Sequence, residues 1–290
     1  MAKYDLNNKV VLITGATGGI GAATARELAN KGANLVLVDL DEEKLKALAA
    51  EFQQGQALVA PGDVTDAARM KEIVDEAVAT YGKLDVALAN AGIAGNPPST
   101  SLTASREEVE KVMEVNIMGV WRTVHPCLEE IVKNNGYVMI TASVYSFFNG
   151  VANLPYATSK AAVEMMSRSL RAELAGSGAK AGALYPGWVK TPIIEQAFGG
   201  NEIATNMIKG ALPAFMRTPI PAERLAKAAV KGMEKRATRT IEPKFWAMFS
   251  AFRGLFQNGT DLLLDVHKKN HGQLRKLDDW NRERLAKQNS

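Results

Sequence analysis

The sequence predicts a doubly wound α/β fold, a parallel sheet with helices on both faces, carrying an appended helical tail. Short β-branched runs alternate with helical patterns from the start of the chain, and strands that alternate with helices in this way pair in parallel and are covered on both sides. A glycine cluster joins the first such run to the first helical pattern. No Pro-, Gly- or Ser-rich linker interrupts the alternation and no internal repeat is evident. One domain is therefore expected over residues 1–243, with a helical extension over residues 244–290.

“KVVLIT” reads as the first strand and “GIGAATARELANKG” as a helix closed by Gly32. “NLVLVD” is the second strand and “DEEKLKALAAEF” the second helix, which Asp41 is positioned to cap. “QALVA”, a helix from Asp66 to Tyr81, and “LDVALAN” continue the rhythm. A long helix from Thr103 to Val132 leads into “YVMITAS”, and another from Pro155 to Ala175 leads into “AGALYP”. “PAERLAKAAVKGMEKR” is a further helix, with Pro221 in a first turn where its missing N–H is tolerated, and “TRTIEP” is a last strand.

Composition narrows the function classes. The 290 residues are 47% hydrophobic and 23% charged, the balance of a soluble globular chain. A net charge of +4 and a pI near 9.0 are too weakly basic to argue for nucleic acid, and no Lys/Arg run or Cys/His finger spacing supports it. No apolar run approaches the roughly 20 residues of a spanning helix. The N-terminal “MAKYDLNNKVVLITG” shows no secretory signal. Cys127, the single cysteine, reads as a buried structural thiol in a reducing compartment, so the expected location is cytoplasmic.

In sheets of this kind ligands bind outside the carboxyl ends of the strands, and the informative residues stand there. “TGATGGIG” (Thr14 to Gly21) follows the first strand, and its Gly15, Thr17, Gly18, Gly19, Ile20 and Gly21 form a loop able to bring backbone N–H groups to a pyrophosphate at a helix N-terminus. The second strand ends in Asp39, positioned to accept hydrogen bonds from a ribose diol and to repel a 2′-phosphate. No Arg or Lys stands beside it or within the glycine loop. NAD is therefore expected over NADP; the competing reading makes Asp39 a helix cap.

“YATSK” sets Tyr156 and Lys160 four residues apart on one helix face. A free tyrosine is a poor base at neutral pH, with a pKa of about 10. A neighbouring ammonium and an oxidised nicotinamide both favour the phenolate, so Tyr156 is expected to have a lowered pKa and to exchange a proton with a substrate hydroxyl. Ser143, just past the fifth strand, is placed to hydrogen-bond the substrate oxygen. Asn116, polar within the apolar pattern “EVNIMGVW”, either holds a water in a proton path or satisfies a helix kink.

With these motifs the chain resembles the short-chain dehydrogenase/reductase family in its compact single-domain branch. “TGATGGIG”, “GDV” at Gly62–Val64, “NAG” at Asn90–Gly92, Asn116, Ser143, “YATSK” and “YPGWVKT” occur in the family's order over roughly Lys9 to Pro243. The resemblance implies a Rossmann-type domain and the following roles. Tyr156 is the acid/base, Lys160 lowers its pKa and binds the nicotinamide ribose, Ser143 orients the substrate oxygen, and Asn116 anchors a proton relay. Asp63 and Val64 flank the adenine, and Asn90, Ala91 and Gly92 support the central region of the cofactor. Pro186 and Gly187 let a loop pass the nicotinamide, whose carboxamide meets Val189 and Thr191. The family also implies a homodimer or homotetramer through the two long helices. Because Gly18 and Gly19 are both glycine, the loop also fits the pattern of the extended branch of sugar epimerases and dehydratases; “NAG”, “PGWVKT” and the chain length favour the compact branch. A non-catalytic dinucleotide-binding scaffold is the remaining alternative.

The variable segments offer Phe147, Phe148, Val151, Leu154, Trp188, Ile193, Ile194, Phe198, Met207, Phe215 and Met216, an apolar set. It points to a small hydrophobic alcohol or ketone as substrate. In the tail Phe245, Phe249, Phe252 and Phe256 form one helical stripe opposite Ala247, Ser250 and Gly254. That stripe is expected to cover the substrate mouth, with a subunit interface next and a peripheral membrane surface last. “QLRKLDDWNRERLAKQ” reads as a surface helix. His267 and His271 stand i, i+4 without a third ligand nearby, so no metal site is expected.

Overall fold

A computed structural model describes residues 3–191, 201–211, 213–255 and 268–288. Seven strands form a single parallel sheet in the order β3-β2-β1-β4-β5-β6-β7. They are β1 (Val10–Thr14), β2 (Asn34–Asp39), β3 (Ala57–Pro61), β4 (Val86–Ala89), β5 (Tyr137–Thr141), β6 (Lys180–Pro186) and β7 (Arg239–Glu242). Every expected strand is present.

The helices are α1 (Gly19–Ala29), α2 (Glu42–Ala49), α3 (Ala67–Tyr81), α4 (Arg106–Met113), α5 (Gly119–Val124), α6 (Leu128–Lys133), α7 (Leu154–Glu173), α8 (Glu202–Ala211), α9 (Ala214–Arg217), α10 (Ala222–Glu234), α11 (Trp246–Ala251) and α12 (Lys268–Gln288). Asp41 caps α2 as expected, its carboxylate accepting from Lys44 N at 3.1 Å. Ser105 caps α4 through Glu108 N. The helix expected from Thr103 to Val132 is thus shorter at its start, and it changes winding twice. A π-helical turn, Glu114–Met118, carries Asn116, and a 3₁₀ turn, His125–Cys127, carries Pro126, which lacks the N–H of a regular turn.

Alternation along each strand feeds two cores, one on each face. Val10, Leu12 and Val138 pack with Met70, Ile73, Val120, Val163 and Leu170 from α3, α5 and α7. Val11, Ile13 and Met139 pack with Ala25, Leu28, Leu225 and Val230 from α1 and α10. The central strands β1 and β5 are buried on both sides, which is why their sequences are runs of apolar residues rather than alternations, whereas the edge strands β3 and β7 are only partly buried. Cys127 lies in the first core, fully buried, and burial pushes its thiol up to about 12. It is the structural thiol the sequence suggested.

β1 pairs with β2 on one side and β4 on the other, so the strand order reverses between β1 and β4. A crevice opens there at the carboxyl ends of the strands. Gly15, Asp39, Asp63, Asn90, Ser143 and Gly187 each stand at or just beyond one of those ends.

The C-terminal segments are held by large side chains. Trp246 is completely buried in the first core; its ring lies near those of Phe147, Phe148, Phe245 and Phe249. Phe245 and Phe249 pack against that core, whereas Phe252 is 55% exposed, and Phe256 lies outside the described residues. The expected stripe is therefore replaced as anchor by Trp246. Opposite it, Ala247 and Gly254 are exposed but Ser250 is buried. The buried carboxylate of Glu164 on α7 pairs with Arg253 at 2.8 Å. α12 packs on α8 as a surface helix that buries Leu277, Asp278 and Asn281 on one face. Asp278 accepts from Thr100 and Thr103, and Asn281 donates to the Pro98 carbonyl at 3.2 Å. No described helix is long and apolar enough to cross a membrane.

Candidate active site

A cavity of about 700 Å³ lies over the carboxyl ends of the strands. At one end it is shaped by the turn from β1 into α1. Gly15 adopts φ +64°, a left-handed conformation unfavourable for residues with a side chain. An added Cβ at Gly19 would stand 2.8 Å from Thr191 Cγ2, and one at Gly21 would stand 2.1 Å from the Gly15 oxygen. Packing thus requires glycine at 15, 19 and 21, the spacing of the compact branch, while Gly18 meets nothing nearer than 3.3 Å. The first turn of α1 holds no acidic residue and no side chain caps its N–H groups, which suits an anion.

Asp39 faces this turn. Its Oδ2 accepts from Thr17 N at 2.9 Å and from Thr17 Oγ1 at 2.6 Å, and its Oδ1 accepts from Leu40 N at 2.8 Å. Asp39 is therefore not the cap of α2. It braces the glycine loop and retains acceptor capacity on Oδ1. Leu40, 71% exposed, leaves an apolar side chain beside it that a flat base would cover. Lys44 also lines this end, a cation that the linear sequence did not bring beside Asp39; its ammonium is held by Asp41 at 2.8 Å.

In the middle, Asn90 ties three strands together. Its amide donates to the Thr14 and Gly15 oxygens and its Oδ1 accepts from Thr141 Oγ1, while the Asn90 and Ala91 N–H groups donate to Thr14 Oγ1. Asn116 lies beneath the cavity rather than in its wall. Its Oδ1 accepts from Ile93 N at 2.8 Å and its amide donates to Ile93 O and to Ser159 Oγ. Asn116 thus ties the loop that follows β4 to Ser159 on α7, and none of these bonds goes to the backbone of its own π-helical turn.

At the other end stand Ser143, Tyr156 and Lys160, at most 4% exposed where Ser143 and Lys160 are concerned. Tyr145 N donates to Ser143 Oγ at 3.2 Å, and the Ser143 hydroxyl hydrogen-bonds the Tyr156 side chain. Lys160 Nζ donates to the Thr141 oxygen at 2.9 Å and lies 5.5 Å from the Tyr156 ring centroid. Burial raises the Tyr156 phenol above its ordinary value, and the Ser143 hydrogen bond only partly offsets this. The same burial pushes Lys160 down to about 8. In the free protein the Tyr156 phenol is thus raised rather than lowered, because desolvation of the phenolate outweighs the Ser143 hydrogen bond.

Of the residues expected at the site, Gly15, Thr17, Gly18, Gly19, Ile20, Asp39, Asp63, Val64, Asn90, Ala91, Gly92, Ser143, Tyr156, Lys160, Pro186, Gly187, Val189 and Thr191 line this one cavity. Gly21 packs under the loop and Asn116 lies behind the wall. Tyr145, Asn153, Lys44 and Lys111 also line it and were not singled out. The apolar set is redistributed. Trp188 lines the cavity, but Phe147 and Phe148 pack on Trp246, Met207 and Met216 are buried, and Phe215 is exposed against Phe245. Val151 and Leu154 are not among the lining residues, and Ile193, Ile194 and Phe198 lie outside the described residues. A second depression, about 690 Å³ among Lys3, Lys31, Lys227 and Glu234, contains none of the motif residues. Among the described residues no three His, Cys, Asp or Glu side chains group as metal ligands, and His267 lies outside them.

A doubly wound sheet with an uncapped glycine turn, an acidic residue ending β2 and a Ser-Tyr-Lys set lining the same cavity defines a nucleotide-binding oxidoreductase. The short chain dehydrogenase family model matches residues 9–201. The momilactone A synthase of Oryza sativa subsp. japonica is 34% identical over 204 residues, 70% of this chain and 74% of that one. The 3-oxoacyl-(acyl-carrier-protein) reductase FabG of Thermotoga maritima is 34% identical over 194 residues, 66% of this chain and 78% of that one. Among solved structures, the 3-ketoacyl-(acyl-carrier-protein) reductase from Brucella melitensis complexed with NADH superposes with TM-score 0.72 at 26% identity, covering 82% of this chain and 97% of that one. The alcohol dehydrogenase from Thermococcus sibiricus complexed with 5-hydroxy-NADP gives TM-score 0.68 at 27% identity, covering 80% of this chain and 95% of that one. The chain belongs to the short-chain dehydrogenase/reductase family.

Proposed function

We propose that the protein is an NAD-dependent oxidoreductase that interconverts a hydrophobic secondary alcohol and its ketone. The observation that carries this reading is that Ser143, Tyr156 and Lys160 open onto the same cavity as the uncapped glycine turn and Asp39. Gly15, Thr17, Gly18, Gly19 and Ile20 would hold the pyrophosphate, Asp39 the adenosine ribose, and Asp63 and Val64 the adenine. Asn90, Ala91 and Gly92 would border the middle of the cofactor, and Pro186, Gly187, Val189 and Thr191 the nicotinamide. The bound dinucleotide would supply or accept the hydride.

The remaining chemistry falls to side chains. In the reducing direction the Tyr156 phenol, kept protonated by burial, donates its proton to the substrate oxygen while Ser143 holds that oxygen. The Lys160 ammonium then stabilises the phenolate. Asn116 acts by position, its side chain bracing Ile93 and Ser159. The spare acceptor capacity of Asp39 and its negative charge favour an unphosphorylated ribose, and the pairing of Lys44 with Asp41 supports that preference. Ile93, Ala94, Val115, Val144 and Trp188 supply an apolar lining, and Lys44 and Lys111, the other lysines there, are exposed. Exposed Met118, Trp121 and Met165 on the long helices suit a homodimer or homotetramer. A coupled screen of secondary alcohols and ketones with NAD and NADP in parallel tests the reading. Turnover with NAD that vanishes in Tyr156→Phe is expected; nucleotide binding without any turnover would favour a scaffold instead.

A further inference from the structure

Tyr145 and Asn153 bring polar groups into the cavity that the chemistry above does not use. Asn153 stands three residues before Tyr156, at the start of α7, and is 7% exposed. It makes no side-chain cap to α7, and no described residue hydrogen-bonds its carboxamide. Tyr145 stands two residues after Ser143. Its ring meets Tyr156 edge-on at 5.9 Å and Trp188 at 6.0 Å. Burial drives its phenol upward and the neighbouring Tyr156 adds to the effect, so the hydroxyl is a neutral donor. The Tyr145 ring and the Asn153 main chain both lie next to Gly150, where an added Cβ would lie 3.5 Å from Tyr145 Cδ1 and 3.2 Å from the Asn153 main-chain oxygen.

Polar groups at a cavity wall that have no protein partner are free to hydrogen-bond a ligand there. Tyr145 and Asn153 both line the cavity together with Ser143 and the acid/base tyrosine. A phenol donates and a carboxamide donates and accepts, so together they fit a neutral oxygen, hydroxyl or carbonyl. A carboxylate or phosphate would want a cation, and the buried cation nearby, Lys160, is committed to Thr141.

We propose that Tyr145 and Asn153 form a second polar anchor, holding an uncharged oxygen of the substrate next to the reacting carbon. This rests on the alcohol–ketone reading and narrows it from hydrophobic alcohols in general to oxygenated ones: hydroxy ketones, diols, and 3-oxo esters or thioesters. A site built to hydrogen-bond a substrate oxygen rejects the analogue that lacks it, because its own buried groups are then left unpaired.

The test compares kcat/KM for 2-pentanone, which has one oxygen, with 3-hydroxy-2-butanone and ethyl 3-oxobutanoate. Wild type, Tyr145→Phe, Asn153→Ala and the double variant are each measured, with nucleotide binding followed by protein fluorescence as a check on folding. Wild type is expected to favour the oxygenated ketones by about tenfold or more, the order of one good hydrogen bond. Each single variant should lose most of that ratio through a raised KM, and the double variant all of it. Tyr145→Phe keeps the ring packing and decides the matter by itself if Asn153→Ala does not fold. No preference in wild type, or equal proportional losses on both substrate classes, overturns the anchor and leaves the alcohol–ketone reading standing. No turnover of any ketone by a wild type that binds nucleotide overturns both.

Discussion

Beside the glycine loop, the cavity is shaped by main-chain atoms and small residues close together in sequence: a left-handed Gly15, a Cβ-free approach of Gly19 to Thr191, and a carboxylate at the end of β2 that braces Thr17. On the C-terminal side the shaping falls to large side chains that meet from far apart. Trp246 fills the core beside Phe147, Arg253 reaches Glu164 across 89 residues, and Asp278 receives Thr100 across 178. The first side is a local solution, built from residues near one another in sequence and suited to a dinucleotide. The second is a long-range solution in which the substrate walls, the catalytic helix α7 and the C-terminal segments are packed together. Changes beside the glycine loop should therefore alter cofactor use, changes at Ser143, Tyr156 and Lys160 should alter chemistry, and changes around Trp246 and the C-terminal segments should alter stability and substrate handling.

The largest test of that division is Tyr156→Phe. Turnover should fall by about 10²–10⁴, the usual contribution of a positioned general acid, with nucleotide binding kept. Stopped-flow or coupled assays beside a binding titration would measure both, and retained turnover would remove Tyr156 from the mechanism. On the other side, Trp246→Ala should cost about 3–5 kcal/mol of stability by opening a large core cavity. Arg253→Ala should cost roughly 3 kcal/mol because the buried Glu164 carboxylate loses its partner. Denaturant melts would report these losses, while the dissociation constant for NAD in the folded variants should stay within about twofold. A matching loss of NAD affinity would erase the distinction between the two sides.

Smaller effects sharpen it. Asp39→Ala should weaken NAD selectivity over NADP by about tenfold, the order of a charge-assisted hydrogen bond, without moving the ketone KM. Asp278→Ala, which frees the loop carrying Thr100 and Thr103, should do the reverse and raise the ketone KM a few-fold with the NAD KM unchanged. The smallest effect is in pH. Lys160 is held down to about 8, so its positive charge is complete below that value and is lost above it, while Tyr156 keeps its proton throughout. The efficiency of ketone reduction should accordingly be flat at neutral pH and decline above about 8; Lys160→Arg, which keeps its charge, should move the decline upward. A decline on the acid side instead would reassign the titrating group.

The two sides were unequally legible in the sequence. Strands, the glycine turn, Asp39 and the Tyr156–Lys160 pair were visible because each is a pattern within a few residues of itself. Asn116 was visible as a polar residue in an apolar helix, but its bond to Ile93 was not, since that contact crosses 23 residues. Phe147 and Phe148 read from the sequence as substrate wall but form the seat of Trp246, whose burial the phenylalanine spacing around it does not indicate. Lys44 stood five positions from Asp39, and α2 winds it back to the same end of the cavity. Composition marks α12 as a surface helix but does not show the face it buries, where Leu277 packs and Asp278 and Asn281 hydrogen-bond the loop beyond β4.

What the sequence by itself determined is the sheet, the nucleotide turn and the catalytic helix. These follow from the backbone: strand period, the steric freedom of Gly15, and a helical rise that brings residues i and i+4 to one face. Only the tertiary structure decided the protonation state of Tyr156 and Lys160, the polar corner of Tyr145 and Asn153, and the seating of the C-terminal segments. Desolvation and packing depend on every atom around a group, and those atoms come from strands and helices that the linear order keeps far apart.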